Sequence, residues 1–329
     1  MFKYSEIKDI HIELTSKCQV RCPMCPRRIS GGIENPLITL AEIDLHTFKQ
    51  WFTVDFIKQL DNLFMCGNLG DPIIAQDCLE IFQYIRSCNS SINLSMHTNG
   101  SARTKQWWRE LAKTKVRVVF GIDGLEDTHK LYRINADWTK IIENASAFIS
   151  EGGEAEWHML VFKHNEHQVE LCRNIATTLG FVDFKEKHTS RFMEDKWHVI
   201  DDIGKTVHIL YPTSKSTSMI PKVQESKTEK CTRIKCKAKS MKQIYVSANG
   251  TISPCCWLDF SWILPKQDTR IDYMDRIGDF PNLQKLSLED IFNSGYFDKI
   301  SNTWNDNPLK ECAKQCGNFD KLMEQFGEN

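Results

Sequence analysis

CQVRCPMC, residues 18–25, places three cysteines inside eight residues, just beyond a short apolar run at 10–14. A structural metal site closes with four ligands, whereas a site that does chemistry keeps one coordination position open. Three thiols on one loop therefore either join a distant fourth ligand or leave a position vacant. The surrounding sequence says what kind of scaffold presents them.

Outward from the loop, β-branched or apolar runs recur at 10–14, 63–66, 92–96, 116–122, 156–162 and 181–184. Helical periodicity lies between them: one stretch opened by the capping box Thr39-Leu-Ala-Glu42, then 78–88, 104–113, 138–150 and 166–179. Strand-then-helix units in this order predict an α/β fold with a parallel sheet and right-handed crossovers, open or curled into an incomplete barrel. CQVRCPMC follows the first strand, Gly67-Asn-Leu-Gly-Asp-Pro72 the second and Thr98-Asn-Gly100 the third. Asp123-Gly124 ends the fourth, Lys163-His-Asn165 follows the fifth, and Lys187-His-Thr-Ser-Arg191 follows the sixth. All stand at the carboxyl ends of strands, where barrels and open α/β sheets build active sites. That placement points to an enzyme without reference to any cysteine motif.

Composition narrows the setting. The 42 basic and 43 acidic residues leave a formal net charge of -1, which gives no reason to expect a nucleic-acid or membrane partner. The N-terminus carries Lys3, Glu6, Lys8 and Asp9 and lacks the apolar stretch of a secretory signal, and no apolar run is long enough to span a membrane. Thirteen cysteines without an export signal predict a reducing, cytoplasmic setting, where thiols bind metals or sit buried. Residues 213–240 are rich in Ser, Thr, Lys and Arg and read as a solvated connector, or else as a basic patch for an anionic substrate.

The C-x3-C-x2-C spacing of Cys18, Cys22 and Cys25 at the mouth of such a sheet resembles the signature of the radical S-adenosylmethionine (radical SAM) superfamily. The resemblance implies a partial (β/α)6 TIM-type barrel whose three thiolates hold a [4Fe–4S] cluster. The fourth iron is then free to chelate the amino and carboxylate groups of SAM. Met24 matches the family's bulky residue near the adenine. Gly67-Asn-Leu-Gly-Asp-Pro72 resembles the family's Gly-Gly-Glu-Pro segment, with Asp71 where Glu is usual, and implies that Gly70 and Asp71 face the SAM ammonium. Thr98 and Asn99 resemble the segment after strand three. Gly121-Ile-Asp-Gly124, followed by His129 and Arg133, resembles a Ser-(Leu/Ile)-Asp-Gly…His…Arg stretch, with Gly121 departing from Ser. Asp123 and Arg133 thereby join the cofactor set, Arg133 as a bidentate carboxylate grip or else a surface arginine. Asn165 is assigned to the ribose, with helix capping as an equal alternative.

In the C-terminal third, thirteen residues separate Cys236 from Gly250 and four separate Gly250 from Cys255. This resembles the opening of the SPASM and Twitch extensions of radical SAM enzymes. A hairpin over 243–253, a helix over 287–293 and Cys312-Ala-Lys-Gln-Cys316 complete the pattern. Cys236, Cys255, Cys312 and Cys316 would close one auxiliary [4Fe–4S] cluster, with Cys231 and Cys256 as alternative ligands. The expected layout is a core over 1–200, a linker over 201–235 and a small hairpin-plus-helix cluster domain over 236–329. Zinc at either cysteine set is the competing reading.

The resemblance implies reductive cleavage of SAM to a 5′-deoxyadenosyl radical and hydrogen abstraction from a small-molecule or peptide substrate. The auxiliary cluster would assist a net oxidation, and an electron donor such as flavodoxin or ferredoxin would supply the reducing equivalent. A core strand beginning near residue 9 leaves no room for a leader-recognition domain, which weighs against a ribosomal peptide. Cys66 and Cys256 are the candidate hydrogen-atom donors if the reaction is an epimerisation. A non-catalytic metalloprotein and an RNA-modifying radical SAM enzyme remain as alternatives, the latter disfavoured by the near-neutral charge.

Overall fold

The computed structural model describes residues 1–192, 194–214, 234–260 and 267–317. Its strands are β1 (Asp9–Ile12), β2 (Asn62–Met65), β3 (Asn93–Thr98), β4 (Val116–Gly121), β5 (Ala155–Leu160), β6 (Asp183–Lys187), β7 (Trp197–Ile200), β8 (Thr206–Leu210), β9 (Gln243–Val246) and β10 (Ile252–Ser253). Helices separate β1 to β6 along the chain, notably Cys78–Cys88, Lys105–Ala112, Trp138–Ser150 and Val169–Leu179. The fold is α/β, with the strand–helix alternation of a partial (β/α)6 barrel. No helix among the described residues is long and apolar enough to cross a membrane.

The chain divides into two compact units. One comprises Glu13–Leu45 and the described part of Met65–Gln224; the other comprises Met1–Ile12, His46–Phe64 and the described part of Glu225–Asn329.

In the first unit β3, β4, β5 and β6 pair in that order, all parallel. Alternation gives this sheet two unlike faces. Leu94, Met96, Val118, Phe120, Trp157 and Met159 point one way and are almost fully buried. They pack against helix side chains such as Trp108, whose ring centroid lies 5.1 Å from that of Phe120. The other face carries His97, Arg117, Gly121, Glu156, His158, Lys185 and Lys187. A barrel interior is ordinarily filled with branched apolar side chains; here only Val119 and Leu160 interrupt a largely polar face of these four strands. Glu156 is the hub, pairing with His158 at 3.0 Å, Lys185 at 3.2 Å and Arg117 at 3.5 Å.

The capping box at Thr39–Glu42 opens no helix; the next helix is Leu45–Trp51. Glu42 is drawn instead to partners distant in sequence, taking the Thr15 hydroxyl at 3.1 Å, the Gln76 N–H at 3.0 Å and the Lys17 ammonium at 3.2 Å. The sequence predicts no element between the fourth strand and Trp138, and that stretch holds a short helix, Glu126–Tyr132. Residues 197–210 form the antiparallel β7–β8 hairpin, part of it in the stretch read as linker. Residues 215–233 of that connector, Cys231 among them, lie outside the described residues.

In the second unit β9 pairs in parallel with β1, from Asp9↔Gln243 to Ile12↔Val246, and β10 turns back antiparallel on β9. The turn holds Gly250 at φ +84°, a conformation that favours glycine. The Asn249 Oδ1 accepts the Thr251 N–H at 3.0 Å and fixes that turn. Ser287 caps the helix Leu288–Asn293 by accepting the Asp290 N–H at 3.1 Å.

Asp137 caps the longest described helix of the first unit, accepting the Lys140 N–H at 3.0 Å. Asp137→Ala is expected to cost about 1 kcal/mol, measured as a lower midpoint in thermal unfolding; an unchanged midpoint would remove the cap from the account.

Candidate active site

The thiol loop leaves the sheet after the buried run Ile12–Leu14 and turns tightly, with the Cys25 N–H on the Cys22 carbonyl at 3.0 Å and the Arg21 N–H on the Ile134 carbonyl at 2.9 Å. Cys18, Cys22 and Cys25 all line one cavity of about 440 Å³. Three donors address their sulfurs: the Val20 N–H at 3.4 Å and Asn99 Nδ2 at 3.7 Å reach Cys18 Sγ, and Arg133 Nη1 reaches Cys22 Sγ at 3.6 Å. Burial, reinforced by Asp71, pushes the Cys18 thiol up, and burial pushes Cys22 up to about 11 against the pull of Arg133. Without metal both are neutral thiols, so binding iron would release their protons.

The glycine loop beside them is held by a residue the motif reading passed over. Glu13, buried, accepts the N–H groups of Leu69 at 2.6 Å and Gly70 at 2.9 Å. A Cβ on Gly70 would fall 1.7 Å from the Thr15 carbonyl, so no other residue fits this approach. Asp71 accepts the Thr98 hydroxyl at 2.8 Å, the Asn99 N–H at 2.7 Å and the Ile73 N–H at 3.2 Å. Burial raises its pKa while the bonds from Asn99 and Thr98 oppose the rise. Gln19 Nε2 donates to Asn99 Oδ1 at 2.9 Å and orients that amide toward Cys18. The structure thus brings Gly70, Asp71, Thr98 and Asn99 together on the cavity wall.

At the end of β4, Asp123 accepts Arg133 Nε at 2.6 Å through one oxygen and the Leu160 N–H at 2.6 Å through the other. Its own N–H goes to His129 Nδ1 at 3.0 Å. Burial works against the charge on Arg133, but Asp123 and then Cys22 hold its pKa well above the usual value. The departure at Gly121 has a steric reason: a Cβ there would stand 2.6 Å from Arg133 Nη2. The guanidinium fills the space a serine would need.

Two assigned residues lie elsewhere. Met24 is not on the cavity wall; its side chain is buried in an apolar cluster with Tyr132, Phe162, Phe192, Val199 and Leu210. Asn165 is fully buried, and its amide is committed to backbone: Nδ2 donates to the carbonyls of Asp123 at 3.1 Å and Leu160 at 3.0 Å, and Oδ1 accepts the Phe162 N–H at 2.7 Å. It caps no helix with its side chain either. Cys66 does line the cavity. Cys256 belongs to the other unit, at the start of the helix Cys256–Phe260. His97 and His158, 5.7 Å apart by ring centroid, also face the cavity and were missed; polar residues alternating with Met and Trp along β3 and β5 were the available signal.

In that second unit four thiols gather. Cys312 and Cys316 lie one turn apart on the helix Lys310–Cys316, hence on one face. The Lys235 N–H bonds the Cys316 carbonyl at 3.2 Å, which brings Cys236 to the end of that helix. The thiols of Cys236 and Cys316 share a hydrogen bond that lowers Cys316 to about 7 and raises Cys236. Cys255 is half-buried near Cys256, Cys312 and Cys316, and burial pushes Cys312 up to about 12. Among the described residues no three His, Cys, Asp or Glu side chains converge on a point for a single metal ion. A four-iron cube places each thiolate on its own iron, so its ligands need only surround it.

Residues 12–174 match the family model described as the radical SAM superfamily, and residues 236–317 match SPASM, described as an iron-sulfur cluster-binding domain. GTP 3′,8-cyclase of Staphylococcus epidermidis is 21% identical over 189 residues, 55% of this chain and 55% of the cyclase, so the chain spans about half the length of that curated relative. Streptococcus suis SuiB bound to its precursor peptide SuiA is similar over 94% of this chain and 67% of SuiB, with a TM-score of 0.55 and 14% identity. Native anSMEcpe with bound AdoMet is similar over 88% of this chain and 82% of its own, with a TM-score of 0.54 and 15% identity. At such identities the likeness is one of fold.

Asp123→Ala would leave the Arg133 guanidinium, 22% exposed on the cavity wall, without its carboxylate. The expected loss is about 3 kcal/mol, read as a lower urea midpoint; a midpoint equal to that of the native chain would show that Arg133 does not depend on the pair.

Proposed function

The chain belongs to the radical SAM superfamily and carries a SPASM-type iron–sulfur cluster-binding domain, and from that premise we propose that it is an oxidoreductase acting on a C–H bond of a small-molecule or peptide substrate. Its cofactors are SAM and [4Fe–4S] clusters. The observation that carries the reading is the shared wall: three thiols, the Gly67–Asp71 loop and Arg133 line a single cavity. A reduced cluster held by Cys18, Cys22 and Cys25 would supply the electron that splits SAM into methionine and a 5′-deoxyadenosyl radical able to take hydrogen from an unactivated C–H bond, and a cluster held by Cys236, Cys255, Cys312 and Cys316 would supply an electron acceptor.

The chain's own residues position these groups. Cys18, Cys22 and Cys25 are proposed to hold the first cluster, with Asn99 and Arg133 donating hydrogen bonds to its sulfur ligands. Hydrogen bonds to cluster sulfurs help set the potential at which the cluster works. Arg133, braced through Nε by Asp123 and directed through Nη1 at Cys22, offers Nη2 to a carboxylate such as that of SAM. Gly70, Asp71, Thr98 and Asn99 make the neighbouring wall; Asp71 acts by orienting Asn99, since its oxygens are already engaged. Cys236, Cys255, Cys312 and Cys316 are proposed to close one auxiliary cluster. Cys66, on the cavity wall, is the candidate hydrogen-atom donor for an epimerisation. We assign the core to 1–200, the connector to 201–235 and the cluster domain to 236–329, place the protein in the cytoplasm, and expect a flavodoxin or ferredoxin as electron donor.

Anaerobically reconstituted protein is expected to hold about eight irons per chain, four per cluster, and to release 5′-deoxyadenosine from SAM once reduced. The triple variant C18A/C22A/C25A should keep about half the iron and release none. Zinc in the loop, or no 5′-deoxyadenosine from the native protein, would sink the reading. Cys66→Ala should leave the iron content unchanged; a loss of iron would make Cys66 a fourth ligand and close the open position.

A further inference from the structure

On the cavity face of β6 stand two lysines with opposite fates. Lys185 is neutralised by Glu156 at 3.2 Å and Asp183 at 3.1 Å. Lys187, two residues on, has no carboxylate partner among the described residues, and the four residues after it, His188, Thr189, Ser190 and Arg191, continue along the cavity wall. Arg191 Nη1 donates to the Met24 carbonyl at 2.7 Å, and its own N–H bonds the Thr189 hydroxyl at 3.1 Å. Those bonds anchor the loop but supply no negative charge. His188 and Arg191 likewise have no carboxylate partner among the described residues.

The carboxylates on the same wall are spent. Asp71 is engaged by Thr98 and Asn99, and both oxygens of Asp123 are taken by Arg133 and the Leu160 N–H. The wall therefore offers positive charge and hydrogen-bond donors but, among the described residues, no open carboxylate. A substrate that brings an amine there would find no counter-charge among the described residues, whereas an anion would find two cations, an imidazole and the Ser190 hydroxyl within five consecutive residues, the Thr189 hydroxyl being turned to Met24 Sδ at 3.9 Å. A solvated lysine on a convex surface would have no such company; the concavity makes the difference.

We propose that the Lys187–Arg191 wall binds an anionic group of the substrate, a carboxylate or a phosphate. The proposal rests on the reading of this cavity as the radical SAM reaction chamber, since that reading makes its occupant the substrate.

The test uses the full chain with both clusters reconstituted and SAM bound, and two probes, pyrophosphate and glutarate. Acetylation of Lys187 by an amine reagent is followed by mass spectrometry, with exposed Lys130 as the internal reference. One probe or both should slow modification of Lys187 relative to Lys130 by about tenfold at saturation. Protection by pyrophosphate alone identifies a phosphate-bearing substrate and protection by glutarate alone a carboxylate-bearing one, while protection by both assigns the site to charge. Protection by neither overturns the proposal, and this measurement needs no variant. The affinity of the protecting anion, measured by calorimetry, should fall by about tenfold or more in K187Q/R191Q; equal affinity in a folded variant would also overturn it. Release of 5′-deoxyadenosine by the native protein is scored separately. Protection without that release leaves the anion site standing and removes the radical reading, and release without protection does the reverse.

Discussion

The ion pair of Asp123 with Arg133 is the constraint on which the candidate site depends. Asp123 has no exposure to water, and each of its polar groups has one assigned partner: Arg133 Nε, the Leu160 N–H, and His129 for its own N–H. Those partners come from the end of β5, from the helix Glu126–Tyr132 and from the residue that follows it. Through Arg133 the same pair reaches the sulfur of Cys22. A buried carboxylate must be met on all sides or it destabilises the fold, so this one residue ties the end of β5 and the Glu126–Arg133 segment together beside the thiol loop. Asn165 reinforces the arrangement by holding the Asp123 carbonyl from below.

A second constraint is the unlike character of the two sheet faces. Apolar residues of β3 to β5 hold the helices, and the opposite face carries the charge network centred on Glu156. Charged side chains are tolerated there because they are paired and because the cavity admits water. The network stops short of the cavity mouth, where Lys187 and Arg191 go unpaired among the described residues.

The auxiliary cysteines rely on different mechanics. A helix sets Cys312 and Cys316 on one face, a backbone bond ties that helix to the segment bearing Cys236, and the β9–β10 hairpin delivers Cys255. Thiols far apart in the chain become neighbours because short, rigid elements carry them. The parallel pairing of β9 with β1 anchors the hairpin within its unit.

Local information was enough for the strand–helix alternation, the cysteine spacings, the hairpin at Gly250 and the placement of the motifs at strand ends, since each is written in periodicity, turn chemistry or spacing over a few residues. What local information misjudged depended on partners far away. Thr39–Glu42 has the composition of a helix cap, but Glu42 goes to Thr15, Lys17 and Gln76. Asn165 has the position of a ligand-binding residue, but its amide bonds the backbone, and Met24 turns into an apolar cluster. Glu13 drew no notice within its apolar strand until the folded chain set it beneath Gly70. The order of residues thus determined the elements and the thiol pattern; only tertiary structure decided which polar groups are consumed by the protein itself and which are left facing the cavity, because hydrogen-bond satisfaction is settled among residues that meet in space.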